Sequence, residues 1–152
     1  MASSLIGQPA PSLALPDANG KSQPLDALLA KGPVVLFFYP KDRSSGCTKE
    51  ACGFRDAYEE FTAHGAQVVG ISRDDAESHR DFASQHKLPF LLLTDADGAA
   101  AAAWGVKKTL GLLPGRETFL VAKDGTVRHH VGGQLSVSRH VQETLEALKQ
   151  LS

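Results

Sequence analysis

Hydrophobic residues fall along the chain in two rhythms, continuous apolar runs and spacings of three and four. Val34-Val35-Leu36-Phe37-Phe38-Tyr39 is an unbroken apolar run stopped by Pro40, the pattern of a strand covered on both faces. From about Cys47 to His64 the spacing changes. Ala51, Phe54, Tyr58 and Phe61 recur at three and four positions, which predicts one helix ended by Gly65. Val68 to Ser72 is a second buried strand. Asp74-x-x-Glu77, an acidic variant of the capping box, opens a helix that runs to about His86. A short apolar run covers Phe90 to Leu93. The alanines from Ala99 to Ala103 follow a turn at Asp97-Gly98 and predict a short, closely packed helix. Thr118 to Val121 and Thr126 to Val131 flank Asp124-Gly125, a hairpin signature. Val137, Val141, Leu145 and Leu148 share one face of a final helix. Ahead of all this, residues 1–24 are Pro-rich and extended, and Leu25 to Ala30 has room for one or two helical turns.

Strand, helix, strand, helix, then a hairpin and a last helix describe an α/β fold with a central mixed β-sheet flanked by helices. The first half must be parallel, because strand–helix–strand units are. The hairpin makes the second half antiparallel. That order is the thioredoxin-like arrangement.

Composition narrows the function. The 152 residues suit one domain spanning 1–152, and 42% hydrophobic content can build a core. Lysine and arginine number 16 against 17 acidic residues, with no basic run of the kind nucleic-acid binders carry. No apolar stretch approaches the roughly 20 residues that span a membrane. The first residues carry neither a positive leader nor a long apolar run, so the expected location is the cytoplasm. Two cysteines do not make a disulfide scaffold. Six histidines are present, but Cys47-x-x-x-x-Cys52 has the wrong rhythm for zinc. His79 and His86 share a helix face with Phe82 and are expected as half-buried packing residues. His129 and His130 point to opposite faces of a strand. No metal or other cofactor is expected.

Cys47 follows the first central strand and stands where the next helix begins. Reactive groups in α/β proteins collect at the carboxyl ends of strands. A helix N-terminus adds unpaired N–H groups and partial positive charge, which favour thiolate over thiol. Gly46 permits a tight turn into the helix, Pro40 can cover one side of a pocket, and the Ser44 hydroxyl is placed to reach the sulfur or a bound oxygen. A small buried hydrophobe, the usual state of a free cysteine, explains these neighbours poorly. Cys52 is open between a packed helical cysteine and a redox partner. Its spacing does exclude one design. Cα atoms five apart in a helix are about 8.6 Å apart, beyond the roughly 7 Å a disulfide tolerates. Any bridge between Cys47 and Cys52 therefore breaks the helix.

The segment from Phe38 to Asp56, Phe-Tyr-Pro-Lys-Asp-Arg-Ser-Ser-Gly-Cys-Thr-Lys-Glu-Ala-Cys-Gly-Phe-Arg-Asp, closely resembles the active-site stretch of the peroxiredoxin Q family, also called bacterioferritin comigratory proteins. The peroxiredoxin pattern Pro-x-x-x-Thr/Ser-x-x-Cys falls on Pro40, Ser44 and Cys47. The likeness extends to Pro16-Asp17-x-x-Gly20-Lys21, Val69-Gly70-Ile71-Ser72, Leu88-Pro89-Phe90 and Arg116-x-Thr118-Phe119-Leu120. It implies a thioredoxin fold and peroxidase activity towards hydrogen peroxide and organic hydroperoxides. It also implies Cys47 as the peroxidatic residue, Cys52 as the resolving residue, and thioredoxin or a similar dithiol protein as reductant. An arginine beside a strand is most often a solvated surface residue; the resemblance instead makes Arg116 a donor to the charge that develops on the peroxide. A resolving thiol within the same chain leans towards a monomer. Ser44-Ser45 stands where the family often has Thr-Pro, and Trp104 where a tyrosine is more usual. Two rivals are a general thiol–disulfide oxidoreductase, disfavoured by the absence of Cys-x-x-Cys, and a redox-sensing or chaperone-like binding module with little turnover.

Overall fold

The computed structural model describes residues 5–42, 45–106, 108, 109, 113–133 and 137–151. In chain order the elements are β1 (Ala14–Pro16), β2 (Ser22–Pro24), α1 (Leu25–Leu29), β3 (Val34–Phe38), α2 (Ser45–Asp56), α3 (Tyr58–Ala63), β4 (Gln67–Ser72), α4 (Ala76–His86), β5 (Leu91–Thr94), α5 (Ala99–Ala103), β6 (Lys108–Thr109), β7 (Leu113–Pro114), β8 (Glu117–Val121), β9 (Val127–Gly132) and α6 (Val137–Gln150).

The main sheet has the order β5-β4-β3-β8-β9. The β3–β4 and β4–β5 pairs are parallel, and β8 joins β3 antiparallel, as β9 joins β8. Mixed α/β order with helices on both faces is the thioredoxin fold read from the sequence. β3 lies at the centre, and its alternate residues serve two cores. Val34, Leu36 and Phe38 pack with α1, Trp104 and Phe119 on one face. Val35, Phe37 and Tyr39 pack with Cys47, Ala51 and Phe54 of α2, Phe61, Phe82 and the Val141–Leu145–Leu148 stripe of α6 on the other. That double duty is why the run has no polar position. The side chain of Val137, expected on the same stripe, lies outside the described residues. No helix of the described residues is long and apolar enough to cross a membrane.

Three local expectations need correction. The predicted helix from Cys47 to His64 starts two residues earlier and is two helices. The chain bends at Ala57 (φ −94°, ψ 3°), a bridge-region conformation, and both Phe54 and Phe61 stay buried with ring centroids 5.6 Å apart. The cap of α4 is Asp75, whose carboxylate accepts from the Ser78 N–H. Asp74, one residue earlier, instead accepts from the Asp42 N–H and the Ser72 hydroxyl. Residues 1–24 are not merely extended: β1 and β2 form a hairpin around a turn in which Asp17 accepts from the N–H groups of Asn19 and Lys21. A second small hairpin, β6–β7, was not foreseen.

Candidate active site

The chain leaves β3 with the Tyr39 N–H still bonded to the Ile71 carbonyl of β4. Half-buried Pro40 ends the strand. Asp42 then clamps the loop. Its carboxylate accepts from the Tyr39 hydroxyl at 2.5 Å, from the Ser78 hydroxyl at 2.8 Å and from His79 Nδ1 at 2.8 Å, while its N–H reaches Asp74. Burial works against a charge on Asp42, but the bonds from His79 and Tyr39 outweigh it and hold the carboxyl below its ordinary range. His79 is fully buried, not half-buried as expected. Its second nitrogen faces the Leu93 carbonyl at 3.1 Å, so both ring nitrogens are engaged.

Beyond the clamp, Ser44 lies outside the described residues. Gly46 is in the first turn of α2, and Cys47 is the third residue of that helix. Cys47 therefore stands in the first turn, at the positive end of the helix dipole. Cys47 is buried, and its Sγ lies 3.5 Å from Nη2 of Arg116. Arg116 immediately precedes β8, the strand next to β3. It is itself buried, so the surface reading fails. Its Nη1 donates to Glu50 Oε1 at 2.7 Å. Glu50 is one helical turn beyond Cys47 and therefore on the same face. The guanidinium thus bridges a thiol and a carboxyl, both on α2. Burial lowers an arginine's hold on its proton, but Glu50 and Cys47 more than reverse this. Burial pushes the Glu50 carboxyl up to about 7, against the pull of Arg116.

Cys52 is not part of this cluster. It is half-buried, with Sγ 3.8 Å from His86 Nδ1 of α4. Both cysteines are free thiols in one uninterrupted helix, so the geometric premise read from their spacing holds. Next to Cys52, Gly53 lets α2 lie against α6: a Cβ there would sit 3.1 Å from Val141 Cγ2. Phe54 anchors the segment, stacked on Phe37 with ring centroids 4.7 Å apart.

The structure therefore brings Cys47 and Arg116 together, with Gly46 in the same first turn and Pro40 at the head of the loop. It adds Glu50, which sequence reasoning missed, and behind it His140 and Thr118. The one hint of Glu50 in the sequence is a charged residue beside the buried stripe Cys47, Ala51, Phe54, which does not say what it touches.

The raised Glu50 carboxyl has a consequence for pH. Its unfolded value is near 4.5 and its folded value about 7. A group raised on folding stabilises the fold fully below its unfolded value, and that contribution is lost as pH rises through the folded value. The helix around Glu50 is thus expected to open more readily at about pH 8 than at about pH 6. Hydrogen exchange of the reduced protein, corrected for intrinsic rates, checks this on the amides of residues 47–52. Protection that is flat or rising with pH contradicts it, and Glu50→Gln should remove the dependence.

A buried thiol and arginine at the head of a helix, on a thioredoxin fold, define a class of thiol-dependent redox proteins. A family model described as AhpC/TSA family matches residues 6–130. The chain is 47% identical over 146 residues to "Peroxiredoxin Q, chloroplastic" of Populus jackii, covering 95% of this chain and 68% of that protein. It is 49% identical over 144 residues to the protein of that name from Arabidopsis thaliana, covering 94% and 66%. The chain thus spans about two thirds of the length of these plant relatives. Among solved structures, the peroxidoxin BcpB of Mycobacterium tuberculosis superposes with a TM-score of 0.90 at 39% identity over 97% of both chains. Peroxiredoxin Q of Xanthomonas campestris gives 0.82 at 33% identity over 91% of this chain and 90% of that one. The chain belongs to the AhpC/TSA family, in its peroxiredoxin Q branch. It is a thiol peroxidase of the thioredoxin fold.

Proposed function

We propose that this single-domain protein reduces hydrogen peroxide and organic hydroperoxides with Cys47, resolves the product with Cys52, and is returned to the dithiol by thioredoxin or a similar protein. The observation that carries this reading is the Cys47 sulfur, buried in the first turn of α2 against a guanidinium fixed by Glu50. The thiolate attacks one peroxide oxygen, and the O–O bond breaks. The leaving oxygen gains negative charge, which Arg116 and the N–H groups of the turn neutralise before it departs as water or alcohol. Gly46 leaves backbone open at that turn, Pro40 walls the approach, and the Ser44 hydroxyl is the further donor assigned by sequence. Cys47 becomes a sulfenic acid. Cys52 condenses with it, forming a disulfide and releasing water, and an external dithiol reduces the pair by exchange. No step needs a metal, flavin or haem. A resolving thiol in the same chain suits a monomer, and cytoplasmic thioredoxin suits the location expected from the sequence.

Steady-state peroxide consumption with thioredoxin, thioredoxin reductase and NADPH tests the reading. Turnover without any protein disulfide substrate supports it. Reduction of protein disulfides without peroxide consumption makes the chain a general oxidoreductase instead.

Arg116→Gln isolates the role of charge. A good donor to developing charge contributes about 10²–10³ in rate, so the peroxide step is expected to slow by about that factor. Stopped-flow rates on the reduced variant check it; an unchanged rate reduces Arg116 to a structural partner of Glu50.

A further inference from the structure

Glu50 presents an anomaly. Its Oε1 is bonded to Arg116, yet its fully buried Oε2 has no hydrogen-bond partner among the described residues. The group it faces is His140 of α6, with Nδ1 3.4 Å away. His140 is fully buried. Its Nε2 meets the Gly133 carbonyl at 2.9 Å, an acceptor, so Nε2 carries a proton. Its Nδ1 meets the Thr118 hydroxyl at 2.7 Å. Thr118, fully buried on β8, lies two residues beyond Arg116. In a neutral ring Nδ1 is a lone pair, and facing it across 3.4 Å stands a carboxyl oxygen. Two acceptors so placed repel each other unless a proton lies on one of them.

We propose that His140 is a positioning residue for peroxide reduction: with Thr118 it holds a proton in common with Glu50, and so fixes Glu50 and, through it, the guanidinium of Arg116 on the Cys47 sulfur. This rests on the reading of Cys47 as the reacting thiol. The charges support it. A thiolate, a guanidinium and an ionised carboxylate in one buried site sum to a net negative charge that burial opposes. One proton held between Glu50 and His140 makes the cluster neutral while leaving the sulfur ionised. Burial draws the His140 ring below its ordinary range and pushes Glu50 up, so on balance the proton resides on the carboxyl. From there it can be donated to the ring nitrogen, while the Thr118 hydroxyl also bears on the carboxyl, and together they lock the carboxyl plane. The groups facing His140 are Glu50 from α2, Arg116 and Glu117 at the start of β8, His130 from β9 and Glu143 of α6 itself. Glu117 is in turn bonded to His130. α3 meets α6 farther along, where Glu60 faces Lys149.

The test is the second-order rate constant for hydrogen peroxide reacting with the reduced protein, followed by stopped flow across about pH 6 to 9. In the wild type the rate should show an inflection from the Glu50–His140 proton, and Glu50→Gln should lose it. His140→Leu and Thr118→Val, each removing one partner of the Glu50 carboxyl, should slow the step about tenfold, at the lower end of what outer partners of a reacting group contribute. His140→Leu should move the inflection to lower pH, because the protonated carboxyl loses an acceptor, and Thr118→Val to higher pH, because the Thr118 hydroxyl holds the carboxyl down. Thr118→Ser, which restores the hydroxyl, should recover most of the lost rate. Thr118→Val is nearly isosteric and carries the test if His140→Leu does not fold. Unchanged rate and inflection in the folded variants overturn the proposal. So does a slower rate with an unmoved inflection, the mark of mere structural damage. A wild type that does not react with peroxide sinks both this role and the thiol-peroxidase reading; a reactive wild type with unaffected variants sinks only the role of His140.

Discussion

Replacing Cys47 by serine is expected to abolish peroxide turnover while the protein stays folded. A serine hydroxyl is scarcely ionised at neutral pH, so neither the helix N-terminus nor Arg116 can turn it into a competent nucleophile. The fold should persist because Cys47 is one small member of a core that also holds Phe37, Tyr39, Phe54, Phe61 and Phe82. Losing the sulfur is a minor packing change beside those rings. Coupled peroxide assays give the activity, and circular dichroism with thermal melting gives the fold. Turnover near the wild-type level in the serine variant would remove Cys47 from the mechanism.

Cys52→Ser is expected to stop the cycle one step later. The variant should react once with peroxide and stall as the Cys47 sulfenic acid, which then overoxidises more readily. In the wild type, α2 must open for the bridge to form. Five helical positions separate the two Cα atoms by about 8.6 Å, and a disulfide tolerates roughly 7 Å. Two features bound the opening. On the upstream side, Asp42 is held by Tyr39, Ser78, His79 and Asp74. Downstream, Phe54 is stacked on Phe37, and losing a buried phenylalanine costs about 3–5 kcal/mol. The unwound segment is therefore expected to run from about Cys47 to Phe54, within the first turns, which already fray. Glu50 lies inside it and must leave Arg116, and Cys52 must leave His86. In the proposed cycle the folded helix holds the thiol for peroxide and the open one offers the disulfide to its reductant. Hydrogen exchange should show these amides losing protection on oxidation while those from Val34 to Phe38 keep theirs. A bridged Cys47–Cys52 pair inside a regular helix would overturn the geometric argument.

Residues that serve packing were the most legible. The run Val34–Tyr39 announced a two-faced central strand because its alternate side chains fill two separate cores. α5 was legible from five alanines, and α6 from Val141, Leu145 and Leu148. Strands of two or three residues, such as β1, β2, β6 and β7, are too short to show a period, so both minor hairpins went unseen. The cap moved from Asp74 to Asp75 because Asp74 is drawn to the Asp42 N–H, 32 positions away, a tertiary competition no local pattern carries. At the site, Cys47 was legible from its place after β3, and Arg116 through the family motif. Glu50 and His140 were not. Each is a polar residue on an apolar helix face, and what they touch is set by how α2 and α6 dock on β8. His79 looked like a packing residue for the same reason, since its partners Asp42 and Leu93 come from other elements.

Single-turnover oxidation joins these parts most directly. One equivalent of hydrogen peroxide is mixed with the reduced protein in a stopped-flow instrument, and the product is quenched, digested without reductant and mapped by mass spectrometry. The mechanism predicts a rapid reaction, loss of both thiols and a single disulfide between Cys47 and Cys52 within one chain. A protein whose thiols survive the peroxide, or a bridge between the Cys47 residues of two chains, would contradict it.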